Sequence, residues 1–72
     1  MYEVRTTPCC HSTPSRKTYN VDLVAWDRRG HGMVAGKAFN VGKRAAKKEA
    51  LYIAELYGAD INDRANILNI KV

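Results

Sequence analysis

From Thr18 to Trp26 apolar and polar residues alternate: Tyr19, Val21, Leu23 and Ala25 fall on one face, and Asn20, Asp22, Val24 and Trp26 on the other. A period of two over this length predicts a β-strand, with the first set turned to a core. A second strand is predicted over Met33 to Val41, with Phe39 and Val41 as inward candidates and Gly36 marking a bulge. The segment between them, DRRGHG (27–32), carries the glycines of a tight turn. YEV (2–4) opens a short strand that runs over residues 2–6. The stretch 6–17 then collects Pro8, Pro14, serines and threonines, which is a loop composition.

The period changes after Val41. Ala46, Ala50, Ile53 and Tyr57 step by four, three and four, the spacing of a helix with one apolar stripe. That helix is expected to open at Asn40 or Gly42 as its cap and to stop at Gly58. Residues 59–66 are polar and turn-like, and ILNIKV (67–72) alternates again as a candidate edge strand. The fold class expected is therefore α+β. A small antiparallel three-stranded sheet is packed by one helix, in a single domain over residues 1–72, with an additional C-terminal strand as an option.

Charge changes this picture from a fold into a surface. The net charge is +5, yet residues 28–48 alone hold seven cations and no acid: Arg28, Arg29, Lys37, Lys43, Arg44, Lys47 and Lys48. Four of these fall in the opening turns of the helix. The positive end of the macrodipole disfavours each by about 0.3–1 kcal/mol. Lys43 with Lys47, and Arg44 with Lys48, add two like-charge pairs four residues apart, each unfavourable by a few tenths of a kcal/mol. Helix stability does not account for this placement; an anionic partner does.

Chain topology gathers further cations there. In an antiparallel meander, the loop between the first two strands lies at the same end of the sheet as the helix start. His11, Arg16 and Lys17 are thus expected beside Lys43, Arg44, Lys47 and Lys48. Arg28 and Arg29 are expected at the opposite end, roughly 26 Å away along a strand of about eight residues. Neither Asn nor Gln stands among the helix cations, so phosphate contact with little base readout is expected.

The remaining chemistry points away from catalysis. Cys9 and Cys10 are adjacent, a spacing that suits neither a mutual disulfide nor paired metal ligands, even with His11 beside them and His31 further on. No paired carboxylates occur, and VAGKAFNVGKR lacks the Gly-Lys-Ser/Thr of a phosphate-cradling loop. No enzyme activity, metal or cofactor is expected. The N-terminus has no secretory pattern, and no apolar run reaches the roughly 18 residues of a membrane span. A cytoplasmic protein with no membrane partner is expected.

The helix start, Lys43-Arg44-Ala45-Ala46-Lys47, resembles the Lys-Lys-x-Ala-Lys pattern that opens the last helix of the double-stranded RNA-binding domain. Tyr2-Glu3-Val4, a loop with Pro8 and His11, and Tyr19-Asn-Val-Asp-Leu are similar to that family's first strand, histidine loop and second strand. The resemblance covers the C-terminal β-β-β-α part, without the family's first helix. It implies that Lys43, Arg44 and Lys47 grip phosphates across the RNA major groove and that His11 enters the minor groove. A sheet backed by one helix is also similar to the Arm-type DNA-binding domain of tyrosine integrases. That likeness would assign Asn20, Asp22, Trp26 and Lys37 of the sheet face to DNA. The expected function is a small nucleic-acid-binding module for a duplex, RNA favoured over DNA. The alternative is a small regulatory or inhibitor protein that binds an acidic surface of a protein partner such as a polymerase or nuclease.

Overall fold

The computed structural model describes residues 1–68 of the chain. Strand β1 (Tyr2–Pro8), strand β2 (Tyr19–Trp26) and strand β3 (Gly32–Val41) form an antiparallel meander, as the alternation predicts. Helix α1 (Lys43–Tyr57) follows, and then a fourth strand, β4 (Asp60–Asp63), pairs parallel with β1. The sheet order is β3-β2-β1-β4. The α+β class and the helix-backed meander therefore stand, but the sheet is mixed and has four strands among the described residues.

The fourth strand corrects the polar connector expected over residues 59–66. Within β4, Ile61 packs on the core beside Val4, and Ala59 and Ala65 pack on it from either side of the strand. Asp63 is held by hydrogen bonds, and Asp60 and Asn62 share the outer face with their partners Glu3 and Arg5. Of the candidate edge strand over 67–72, residues 69–72 lie outside the described residues. Ile67 and Leu68 enter as buried core side chains.

The core lies between the sheet and the helix. Val4, Val21 and Leu23 face it from the sheet, Ala46, Ala50 and Ile53 from the helix, and Ile67 and Leu68 close it. Two fully buried alanines let the helix axis approach the sheet closely, and Ile53 supplies most of the apolar bulk on that stripe. At its far end Tyr57 is half exposed, with its ring centroid 5.2 Å from that of Tyr2. Gly58 ends the helix in the left-handed region at φ 60°, and the Ala59 N–H reaches back to the Ala54 carbonyl at 2.9 Å.

Strand β3 departs from simple alternation twice. Lys37 is extra between the pairs Asp22–Gly36 and Val21–Ala38, so the bulge foreseen at Gly36 falls beside it. A second irregularity lies between Val21–Ala38 and Tyr19–Val41. There Asn40 takes φ 54°, and its N–H donates to Asn20 Oδ1 at 2.9 Å. Each bulge inverts the side-chain phase. Ala38 and Val41 therefore pack on the core, while Phe39, an inward candidate from the sequence, is 64% exposed.

Candidate nucleic-acid interface

The strand register fixes which loops share an end. Pro8 pairs with Tyr19, and Tyr19 with Val41, immediately before the helix. The loop carrying His11, Arg16 and Lys17 therefore emerges beside the start of α1. At the other end of the sheet Tyr2 pairs with Ala25 and Trp26 with Gly32, next to the turn with Arg28 and Arg29. Topology thus brings the loop and the helix start to one end and leaves the arginine turn at the other.

Gly42 caps the helix from an extended conformation (φ −66°, ψ 165°) with no side-chain hydrogen bond to the free N–H groups. No acid stands in the first turn. Lys43, Arg44, Lys47 and Lys48 are all exposed. Among the described residues the salt bridges are Arg5 with Glu3 and His31 with Asp27, so none of the four helix cations meets a carboxylate. The macrodipole, the uncapped N–H groups and the four side chains all present positive potential to one region of solvent.

The loop supplies a second wall. It is built by short local hydrogen bonds: the Cys9 N–H to the Thr18 carbonyl at 3.0 Å, the Thr18 N–H to Ser12 Oγ at 3.1 Å, and the Arg16 N–H to Thr13 Oγ1 at 3.0 Å. Cys9 is buried and anchors it, while Cys10, His11, Arg16 and Lys17 are exposed. The His11 ring meets the edge of Phe39, with centroids 5.9 Å apart. Phe39 was not foreseen as a surface residue, because only the bulges turn it outward. It adds an exposed aromatic face to the cationic end, suited to stacking against an unpaired base or covering a sugar.

The outer face of the sheet is a poorer candidate. Residues paired across the strands share a face, so Glu3, Asp22 and Asp60 stand there together with Arg5. Arg5 Nε donates to Glu3 Oε1 at 2.6 Å, and its guanidinium lies 5.6 Å from the Trp26 ring centroid. That hydrogen bond, opposed by partial burial, holds the Glu3 carboxyl below its ordinary value. Of the residues the integrase likeness would use, Asn20 is engaged by Asn40, and Lys37 points its Nζ at the Tyr57 ring, 5.8 Å away. Three carboxylates on this face oppose a nucleic-acid backbone.

No group of three His, Cys, Asp or Glu side chains comes together among the described residues to hold a metal ion. An open cleft of about 480 Å³ runs along the loop, lined by Pro8, Ser12, Thr13, Pro14, Lys17 and Tyr19 with Ala65. Among the described residues, no helix is long and apolar enough to cross a membrane. Compared with family models, with curated proteins and with solved structures, the chain matches none of them.

Proposed function

We propose that the chain is a small basic nucleic-acid-binding module that holds duplex phosphates at the start of α1 with little sequence preference. One observation carries this reading: four exposed cations crowd an uncapped, acid-free helix start, and none of them meets a carboxylate among the described residues. Lys43, Arg44, Lys47 and Lys48 take the phosphates. His11, Arg16 and Lys17 extend the contact along the loop. RNA is favoured over DNA on the likeness of Lys43–Lys47 to the double-stranded RNA-binding domain. The wide, shallow minor groove of an A-form helix would admit the His11 loop, with Phe39 beside it.

A second reading is supported by a different observation. Leu51, Tyr52 and Leu56 are 46%, 59% and 60% exposed on the outer side of the helix, and Tyr52 and Leu56 border a shallow cleft with Glu55. Exposed aromatic and aliphatic side chains beside a basic patch also suit a protein partner with an acidic surface.

Binding of a labelled duplex of about 20 base pairs, longer than the ~16 that a double-stranded RNA-binding domain spans, tests the first reading. The double variant Lys43→Glu/Lys47→Glu is expected to lose at least ten-fold in affinity, and Tyr52→Ala none. Equal binding by the wild type and the double variant would overturn the proposal.

A further inference from the structure

Strand β3 forms one edge of the sheet, and among the described residues its outer side has no partner. The pairing fixes which backbone groups face outward. The Trp26 N–H bonds to Met1 on the β1 side, whereas the Asp27 N–H bonds to the His31 carbonyl on the β3 side. By alternation Met33 and Ala35 direct their N–H and C=O groups to β2, and Gly32, Val34 and Gly36 direct theirs to the open edge. Met33 is 79% exposed and Val34 64%. The usual protections of an edge are missing here. Residues 32–36 contain no charge and no proline, and the bulge at Lys37 begins only beyond them.

We infer that this edge pairs with the same edge of a second copy, antiparallel about a two-fold axis at Val34. In that register Val34 meets Val34 of the second copy, Gly32 meets Gly36, and Met33 meets Ala35. All six outward N–H groups and carbonyls nearest the axis then find partners, in six hydrogen bonds. The segment Gly-Met-Val-Ala-Gly is self-complementary, with glycine opposite glycine and a large side chain opposite a small one. A two-residue slip one way forces the Lys37 bulge into the ladder, and a slip the other way forces in the Gly30 turn. A second copy therefore fits in one register.

The axis stands perpendicular to the sheet, so both helices lie on the same face of one eight-stranded sheet. The end of β3 in one copy reaches the level of the 27–31 turn in the other. Arg28 and Arg29 of one copy thus come alongside the helix start of the other, and the cations of 28–48 merge across the junction. A five-residue edge pairing belongs to the weak class of interfaces, below about 1,200 Å². Like charges oppose it, so screening favours it.

The dimer is independent of the nucleic-acid reading and is tested on the protein alone. Sedimentation of the wild type from about 10 μM to about 1 mM is expected to show a species of twice the 8.1 kDa monomer mass. Its association constant should rise several-fold between about 0.05 and 0.3 M salt. In amide spectra of the same samples, the Val34, Gly32 and Gly36 N–H signals should shift with concentration, and those of Met33 and Ala35 far less. V34K should remain monomeric, and V34T should still associate. A monomer throughout the range, or edge amides that never respond while association persists, overturns the proposal. The wild-type spectra decide even if V34K fails to fold.

Discussion

Thr6 Oγ1 donates to Asp63 Oδ1 at 2.6 Å, which ties the middle of β1 to the end of β4 across 57 residues of chain. The same carboxylate accepts the Ile67 N–H at 3.1 Å and the Leu68 N–H at 2.8 Å, which sets the two buried side chains that follow into the core. One acid therefore closes β4, satisfies a buried hydroxyl and fixes the backbone of Ile67 and Leu68. Hydrogen bonds to a charged group contribute about 1.5–3 kcal/mol each, and an orphaned buried hydroxyl costs about as much as a lost bond. Asp63→Ala is expected to lower stability by about 3 kcal/mol, and Asp63→Asn by less, in denaturant melts.

The pH dependence follows from the same carboxylate. Burial alone would raise the Asp63 pKa, but bonds from the Thr6 hydroxyl and from the N–H groups of Leu68, Ile67 and Asn66 outweigh it and hold the carboxyl below its ordinary value. Glu3 is lowered too, by its bond from Arg5. A group lowered in the fold contributes stability that is complete above its unfolded pKa, about 4 for these acids, and is lost as pH falls through the folded value. Thermal melts should hold a plateau above about pH 5 and fall below about pH 4. Asp63→Asn should flatten that fall.

Gly32 lies under the one tryptophan. A Cβ built there would stand 2.9 Å from Trp26 Cζ3, closer than side chains approach, and 3.1 Å from Val24 Cγ1, a tight contact. Val24 lies on the face away from the helix and is still only 1% exposed, because Trp26 fills the space that this glycine leaves. Gly32→Ala should displace the indole, cost about 1–3 kcal/mol and shift Trp26 emission to the red.

Gly42 sets stability against binding. Nothing stands within 4 Å of where its Cβ would be, and its extended φ and ψ suit a capping side chain. Gly42→Asp should stabilise the fold by about 0.5–1 kcal/mol through the cap and the dipole. It should also weaken duplex binding several-fold, because it adds an acid beside the cations. Gly42→Ser should raise the melting temperature slightly and leave binding intact.

The parts legible in the sequence were those that one period governs. Tyr19 to Leu23 alternates, so the buried Val21 and Leu23 could be read directly, although Val24 on the opposite face is buried too; the Ala46–Ala50–Ile53 stripe and Gly58 marked the helix and its end. Strand β4 was not legible, since a four-residue edge strand with one core apolar residue, Ile61, has no period to detect. Its pairing with β1 depends on Asp63, whose hydrogen bonds are non-local. Phe39 was misplaced for a related reason: the bulge that Gly36 marks falls at Lys37 and a second one lies at Asn40, and their effect on the phase shows only in the pairing with β2. The cationic end was legible because charge clustering needs no phase. Its aromatic neighbour was not.

The central claim is that Lys43, Arg44, Lys47 and Lys48 neutralise phosphates of another molecule. Titration of duplex affinity against salt tests it most directly. With about four phosphates neutralised, log affinity should fall against log salt with a slope near −3 to −4, a loss of about two decades between 50 and 200 mM. Lys43→Glu/Lys47→Glu should flatten the slope, and replacing two cations by two acids at the positive end of the helix dipole should leave the fold as stable as the wild type or about 1 kcal/mol more so, with the Arg44–Lys48 pair unchanged. A slope near zero, or no duplex binding at 50 mM salt by a folded wild-type chain, would contradict it.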